Sequence, residues 1–355
     1  MKAILRVDAS VQMGSGHFMR CLTLAETLRE RGVDTRFVCR EHQGNLIGML
    51  SQKRMPVAVL PVTGAMAASN CDDYAAWLGA TEADDAEQTI GSFSGAKPDW
   101  LVVDHYGLEI DWEKRLRPHV ARILVIDDLA SRRHDCDVLL DQNYSLETEQ
   151  RYAGLVAPMC KLLLGPQYAL LRKEFRAMRE RLRPRTHKLA RILVFITGGD
   201  DQGETLKAMR GVEIFGGAED VDVVVGRENP DKTEISQKCK DLGWGYHCQV
   251  DYMPRLIAQA DLVIGAGGSS NWERCALGVP ALVVILADNQ APIARALGHA
   301  GVIYNLGWCR DLHASDYANA LNFMSEDRLA SMTEKSLALV DAMGAERVAD
   351  TLLAA

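Results

Sequence analysis

The sequence predicts an α/β protein built of two tandem domains, each a parallel sheet with flanking helices. Three observations carry this. Strand-like runs recur along all 355 residues, and most are unbroken Val, Ile and Leu rather than alternating. That is how strands buried on both faces of a parallel sheet look. Amphipathic segments lie between the runs, and strand alternating with helix marks this class. The length, finally, exceeds the size at which a single core stops growing.

The first half holds "AILRVDA" (3–9), "TRFVCR" (35–40), "VAVLPV" (57–62), "WLVVDHY" (100–106), "RILVIDD" (122–128) and "CDVLLDQ" (136–142). Helical patterns follow at "HFMRCLTLAETLRERG" (17–32) and "DWEKRLRPH" (111–119), with Gly32 at a helix C-cap. Residues 172–188, dense in Arg and Lys and carrying Pro184, read as a charged helix and linker. A fresh strand and glycine turn then begin at "RILVFITGG" (191–199). "VDVVVG" (221–226), "YHCQV" (246–250), "DLVIGAGG" (261–268), "ALVVILA" (281–287) and "GVIYNL" (301–306) continue the second half. Helical patterns there include 253–260 and 291–301, with Gly301 at another C-cap, and the last residues read as a closing helix. Both halves thus begin strand, Gly-rich turn, helix. The expected division is 1–171 for an N-terminal Rossmann-like domain, 172–188 for the linker, 189–335 for a C-terminal Rossmann-like domain and 336–355 for the last helix. Such a pair puts a ligand cleft at the carboxyl ends of both sheets.

Composition narrows the function. With 48% hydrophobic and 25% charged residues, the chain has the makings of an ordinary soluble core. Its net charge of −8 argues against a nucleic-acid scaffold or an anionic membrane surface as partner. A small anionic ligand remains compatible, because backbone dipoles can hold phosphate inside an acidic protein. Nine scattered cysteines with no C-x-x-C pair read as reduced thiols. The N-terminus lacks the apolar core of a signal peptide, and no apolar run reaches membrane-spanning length. These features predict a cytoplasmic protein without stable membrane insertion; they leave its oligomeric state open.

Four loops carry candidate chemistry. "GSGHFM" (14–19) places Gly14, Gly16 and His17 between the first strand and helix. It is neither a dinucleotide fingerprint nor a Walker A loop. The spacing suits a plain turn with an idle histidine, and equally a general base, because His17 stands at the carboxyl end of a parallel strand. "GAGGSSNWE" (265–273) follows a buried strand. Gly267 and Gly268 allow close backbone approach, Ser269 or Ser270 suits an N-cap, and a diphosphate fits the free N–H groups. Glu273, one turn on, is placed to accept from ribose hydroxyls, or simply to favour the helix dipole. Gly198 and Gly199 in "FITGGDDQGET" (195–205) flank the same kind of ligand or form a plain turn. Asn289 and Gln290 suit sugar hydroxyls, N-acetyl groups or helix capping. Asp104, His105, Tyr106, Asp127, Asp128 and Asp141 stand at strand ends, where some face ligand and others make turns. No metal set emerges, since adjacent Asp127 and Asp128 point to opposite faces of a strand. His134 reads as a surface residue.

The segments 6–28, 103–113, 125–143, 163–175, 265–280 and "ADNQ" (287–290), taken in order, resemble the UDP-2,4-diacetamido-2,4,6-trideoxy-β-L-altropyranose hydrolases of pseudaminic acid biosynthesis. That family is similar in turn to GT-B glycosyltransferases, including the one that adds N-acetylglucosamine to lipid-linked muramyl-peptide. The resemblance implies a GT-B architecture of two Rossmann-like domains facing a cleft, with UDP held mainly by the second. It implies a UDP-sugar as partner, no cofactor and no metal, and hydrolysis between sugar C1 and the diphosphate. By motif position it makes His17 the base that activates water, Tyr106 and Asn271 substrate contacts, and Glu273 the ribose ligand. A glycosyltransferase with a UDP-sugar donor and a non-catalytic nucleotide-sugar binder are the competing readings, which fold alone does not separate.

Overall fold

The computed structural model describes residues 1–63, 74–93, 95, 97–146 and 150–354. The chain divides into two compact units. Of the described residues, 1–143, 150–170 and 344–354 form unit 1; 144–146 and 171–343 form unit 2.

Unit 1 runs β1 (Lys2–Val7), α1 (Gly16–Glu30), β2 (Asp34–Arg40), α2 (Ile47–Gln52), β3 (Val57–Leu60), α3 (Glu82–Gly91), β4 (Trp100–Asp104), α4 (Ile110–Leu116), β5 (Arg122–Ile126), β6 (Val138–Asp141) and β7 (Lys161–Leu164). Its seven described strands pair in the order β3-β2-β1-β4-β5-β6-β7, all parallel. The strand order reverses between β1 and β4, where Val7 lies beside Asp104. This is the switch point at which open α/β sheets bind ligands. β7 is an addition to the sequence reading: its four residues, KLLL, are too short to stand out as a run.

Apolar β1 carries a buried Arg6, and the fold answers it with charge. Arg6 pairs with Asp8 at 2.7 Å and Asp85 at 2.6 Å, and Arg40 reaches Asp85 at 2.6 Å. Burial of an ion is tolerated when it is paired and hydrogen-bonded in this way.

Unit 2 runs α5 (Lys173–Arg179), β8 (Arg191–Phe195), α6 (Glu204–Phe215), β9 (Asp220–Val225), α7 (Lys232–Leu242), β10 (Gly245–Cys248), α8 (Met253–Gln259), β11 (Leu262–Ala266), α9 (Ser270–Ala276), β12 (Ala281–Ile285), α10 (Ala291–His299), β13 (Tyr304–Trp308), α11 (Ala314–Asn322) and α12 (Glu326–Leu339). Its strands pair in the order β10-β9-β8-β11-β12-β13, again parallel, with the reversal between β8 and β11.

Two boundaries differ from the sequence reading. Residues 172–188 are packed structure of unit 2. Phe175 is fully buried. Arg179 donates to Ala276 O and Leu337 O at the ends of α9 and α12, and Arg185 donates to Ala258 O and Ala260 O at the end of α8. Arg179 and Arg185 are donors to otherwise orphaned helix-end carbonyls, whereas Arg181 and Arg183 are exposed. The expected closing helix is also two helices. Val340 leaves helical geometry and Ala342 adopts φ 62°. Past this break α13 (Gly344–Ala354) returns to unit 1. Its Ala345, Val348, Ala349 and Leu352 join the core beneath β1 and α1.

Candidate active site

In unit 1 the turn after β1 closes on itself. Gly14 N donates to Ser10 O at 2.9 Å, with Gly14 in the left-handed region at φ 70°, a conformation that favours glycine. The chain then enters α1 at Gly16, so His17 occupies the first turn of that helix. Arg20, three residues on, shares its face. Across the switch point, Asp104 closes β4. His17 Nδ1 lies 2.5 Å from Asp104 Oδ1, and Arg20 donates from Nε to Asp104 Oδ2 at 2.6 Å and from Nη2 to Oδ1 at 2.7 Å.

This network assigns the tautomer. Burial by itself raises the Asp104 carboxyl, but Arg20 and His17 outweigh it and hold the group well below the usual carboxylate range. An ionised carboxylate only accepts, so His17 Nδ1 carries the proton and donates it. In the neutral ring the lone pair then sits on Nε2. Arg20 Nη2 approaches Nδ1 at 3.1 Å because both donate to the same oxygen. The His17 side chain keeps 14% of its surface exposed while Asp104 has none.

Tyr106, expected to touch substrate, lies beside His17. It is 5% exposed. Its hydroxyl donates to Asp128 Oδ1, which makes that proton hard to remove, and its ring meets the His17 ring edge-on at 4.5 Å. Asp128 also accepts from Arg20 Nη1 at 3.0 Å. Tyr106 thus packs against the imidazole, with its hydroxyl proton engaged by Asp128. Asp127, its neighbour's opposite face, is buried against Arg132 and Tyr152. His134, read as a surface residue, is buried too and bonds Glu113 at 2.7 Å.

In unit 2 the second switch point is flanked by the 196–203 loop after β8 and the 267–269 turn after β11, with Gly265 beside Phe195. Gly198 is exposed and Gly199 partly so. Asp201 fixes their loop by accepting from Gly203 N and Thr205 N. Gly267 is buried against Gln290, whereas Gly268 opens on free space and Ser269 is exposed. Ser269 sits at the N-cap of α9 without a side-chain cap bond, and Ser270 Oγ accepts from Arg274 at 3.1 Å, so neither hydroxyl caps the helix. Asn271, the other expected substrate contact, is fully enclosed with its Oδ1 taken by Arg274. Its Nδ2 has no hydrogen-bond partner among the described residues. Glu273 is partly buried, and burial raises its carboxyl despite nearby Arg172 and Arg274. Gln290 Oε1 accepts from Leu286 N at 3.0 Å, while Asn289 is exposed.

The structure thus gathers His17 and Tyr106 into one cluster and Gly267–Glu273 with Gln290 into another. The roles of Asp104, Arg20 and Asp128 escaped the sequence reading, although Asp104 had been noted at a strand end. The i, i+3 spacing of His17 and Arg20 was the available signal that both serve one partner. Among the described residues no group of His, Cys, Asp and Glu has the makings of a metal site, and no helix is long and apolar enough to cross a membrane.

No protein-family model matches the chain. The chain is 30% identical over 176 residues to the UDP-2,4-diacetamido-2,4,6-trideoxy-beta-L-altropyranose hydrolase of Campylobacter jejuni, across 49% of this chain and 53% of that protein. It is 23% identical over 299 residues to an uncharacterized protein of Methanocaldococcus jannaschii, across 82% of this chain and 56% of the other. The matches thus span about half the length of these two relatives. Spore coat polysaccharide biosynthesis protein SpsG of Bacillus subtilis is 23% identical over 305 residues, 84% of this chain and 82% of that one. Among solved structures, Acinetobacter baumannii MurG superposes with a TM-score of 0.69 at 13% identity, over 100% of this chain and 99% of the other. Medicago truncatula UGT71G1 complexed with UDP-glucose gives 0.64 at 11%, over 99% and 98%. The fold is that of the GT-B enzymes, two Rossmann-type units in one chain.

Proposed function

We propose that the chain is a UDP-sugar-processing enzyme that hydrolyses the bond between sugar C1 and the diphosphate, with UDP-2,4-diacetamido-2,4,6-trideoxy-β-L-altropyranose as substrate. The observation that carries this is the Asp104–His17 pair at the switch point of unit 1. A neutral imidazole whose Nδ1–H is held by a buried carboxylate presents a basic Nε2, and the carboxylate stabilises the imidazolium that forms when water gives up its proton. Arg20 keeps Asp104 ionised, and Tyr106 limits the ring's freedom. The activated water attacks C1, UDP departs with the bonding pair, and the sugar gains the hydroxyl. In unit 2, the 198–199 loop, the Gly267–Ser270 turn and Glu273 hold the UDP, and Asn289, exposed in the segment that follows β12, contacts the sugar. Similarity to the Campylobacter hydrolase supports the substrate class and the hydrolytic outcome. Similarity to MurG and UGT71G1 supports the fold that carries them.

The test supplies the UDP-diacetamido-trideoxy-altrose substrate without any acceptor, in heavy-oxygen water. UDP release with label in the sugar is expected. Label in the UDP phosphate means attack at phosphorus, and turnover that waits for a sugar acceptor means a transferase. Binding without turnover removes the enzyme reading. His17→Ala is expected to lose roughly 10²–10⁴-fold in turnover and keep its UDP affinity.

A further inference from the structure

The second switch point holds a buried cation with no carboxylate in ion-pair contact among the described residues. Arg6 and Arg40 are fully buried and Arg20 nearly so, and each pairs with at least one carboxylate at 2.7 Å or closer. Arg274 is 2% exposed and has none within ion-pair distance among the described residues. Its guanidinium donates only to neutral oxygens: Ser270 Oγ at 3.1 Å, Ala266 O at 3.0 Å and Asn271 Oδ1, while Nε has no partner. Burial brings its pKa down to about 10, although Cys275 and Glu273 act to raise it. A buried cation held without a direct ion pair is expensive, and proteins rarely keep one.

Its position is specific. A Cβ on Gly265 would lie 2.7 Å from Arg274 Nη1 and 2.6 Å from Phe195 O. Gly265 and Phe195 are register partners at the ends of β11 and β8. Glycine at 265 therefore makes room for the guanidinium between the two strands at which the sheet order reverses. The three groups it binds are the start of the Gly267–Gly268 turn, the first residue of α9 and the next one. It braces the whole turn from beneath.

From this placement we infer that Arg274 is a positioning residue for a diphosphate-bearing ligand, bracing the 266–271 turn and supplying beneath it the positive charge that the ligand's phosphates balance. The inference rests on the reading that unit 2 holds UDP, and adds which part of the ligand the site discriminates. Attraction in a desolvated site grows with the ligand's charge. Arg274 therefore favours diphosphate over monophosphate and leaves the uridine ring indifferent.

Calorimetric titration of uridine, UMP and UDP into wild-type protein and Arg274→Met tests it. UDP affinity is expected to fall at least tenfold and UMP affinity by less, with uridine affinity within twofold. Arg274→Lys, which keeps the charge, should recover part of the UDP loss. If the Met variant does not fold, Arg274→Gln carries the comparison, since its amide still donates to Ala266 O or Ser270 Oγ. Equal weakening of uridine and UDP, or unchanged UDP affinity, overturns the inference while UDP binding by the wild type stands. A wild-type protein that binds neither ligand overturns it together with the assignment of UDP to unit 2.

Discussion

Asp104 shows how much one side chain decides. It accepts from His17, takes both Arg20 contacts and remains ionised in full burial. Asp104→Asn replaces an acceptor with an amide that can turn its NH₂ toward Nδ1, which selects the wrong tautomer. Turnover should drop at least ~10²-fold with UDP affinity unchanged, a kcat effect measurable by steady-state kinetics beside a binding titration. His134 gives a pH prediction of known sign. Burial lowers its pKa, yet the nearby Asp127 carboxylate and the hydrogen bond and charge of Glu113 prevail and raise it to about 9. A raised folded-state pKa means stabilisation that is complete below the ordinary histidine value near ~6.5 and lost as pH climbs through the folded value. The Tm gap between wild type and His134→Gln should therefore be widest at pH 6 and shrink through pH 9. Both residues explain a limit of sequence reading. His17 is visible because a histidine beside glycines at a strand end is unusual. Its orienting partner lies 87 positions away, and nothing in linear spacing ties Asp104 rather than Asp127 or Asp141 to it.

At the scale of elements, unbroken apolar runs translated into parallel strands because double-sided burial leaves no polar alternation. β7 escaped because four residues are shorter than the period test needs. The stretch 172–188 opens with a helix, α5, as its pattern suggests, but Arg179 and Arg185 serve helix-end carbonyls rather than solvent, which composition alone does not reveal. The loops at the second switch point fit with little tolerance. A Cβ on Gly226, just past β9, would lie 1.6 Å from Gly198 O, whereas one on Gly198 meets nothing within 4 Å. Gly226→Ala should cost about 1–3 kcal/mol and weaken UDP binding by displacing the 198–199 loop. Gly198→Ala should stay within about 0.5 kcal/mol. Denaturant melts of the two variants, each with a UDP titration, check the pair.

At the scale of the molecule, two tandem units were legible from the repeated strand, glycine turn and helix at residues 3 and 191. The return of α13 was not, because its amphipathic pattern states that it packs without naming the surface. The docking is substantial. Val348 and Leu352 are fully buried in unit 1, Trp100 Nε1 donates to Leu352 O at 3.0 Å, and Gly344 fits against Ala169 O with no room for a Cβ. Ending the chain after Met343 removes two such side chains, each contributing about 1.5–3 kcal/mol, and leaves an indole N–H unpaired. Calorimetry of that truncation should show the unit 1 transition lowered or lost and the unit 2 transition in place.

The same return sets an order of events on the ribosome. The main body of unit 2 is one continuous stretch, 171–343, lodged between two portions of unit 1. Domains fold as they emerge, and those whose residues are all present can finish first. Without residues 344–354 unit 1 has an open apolar face over β1 and α1, so unit 2 can be complete while the unit that carries His17 still awaits α13.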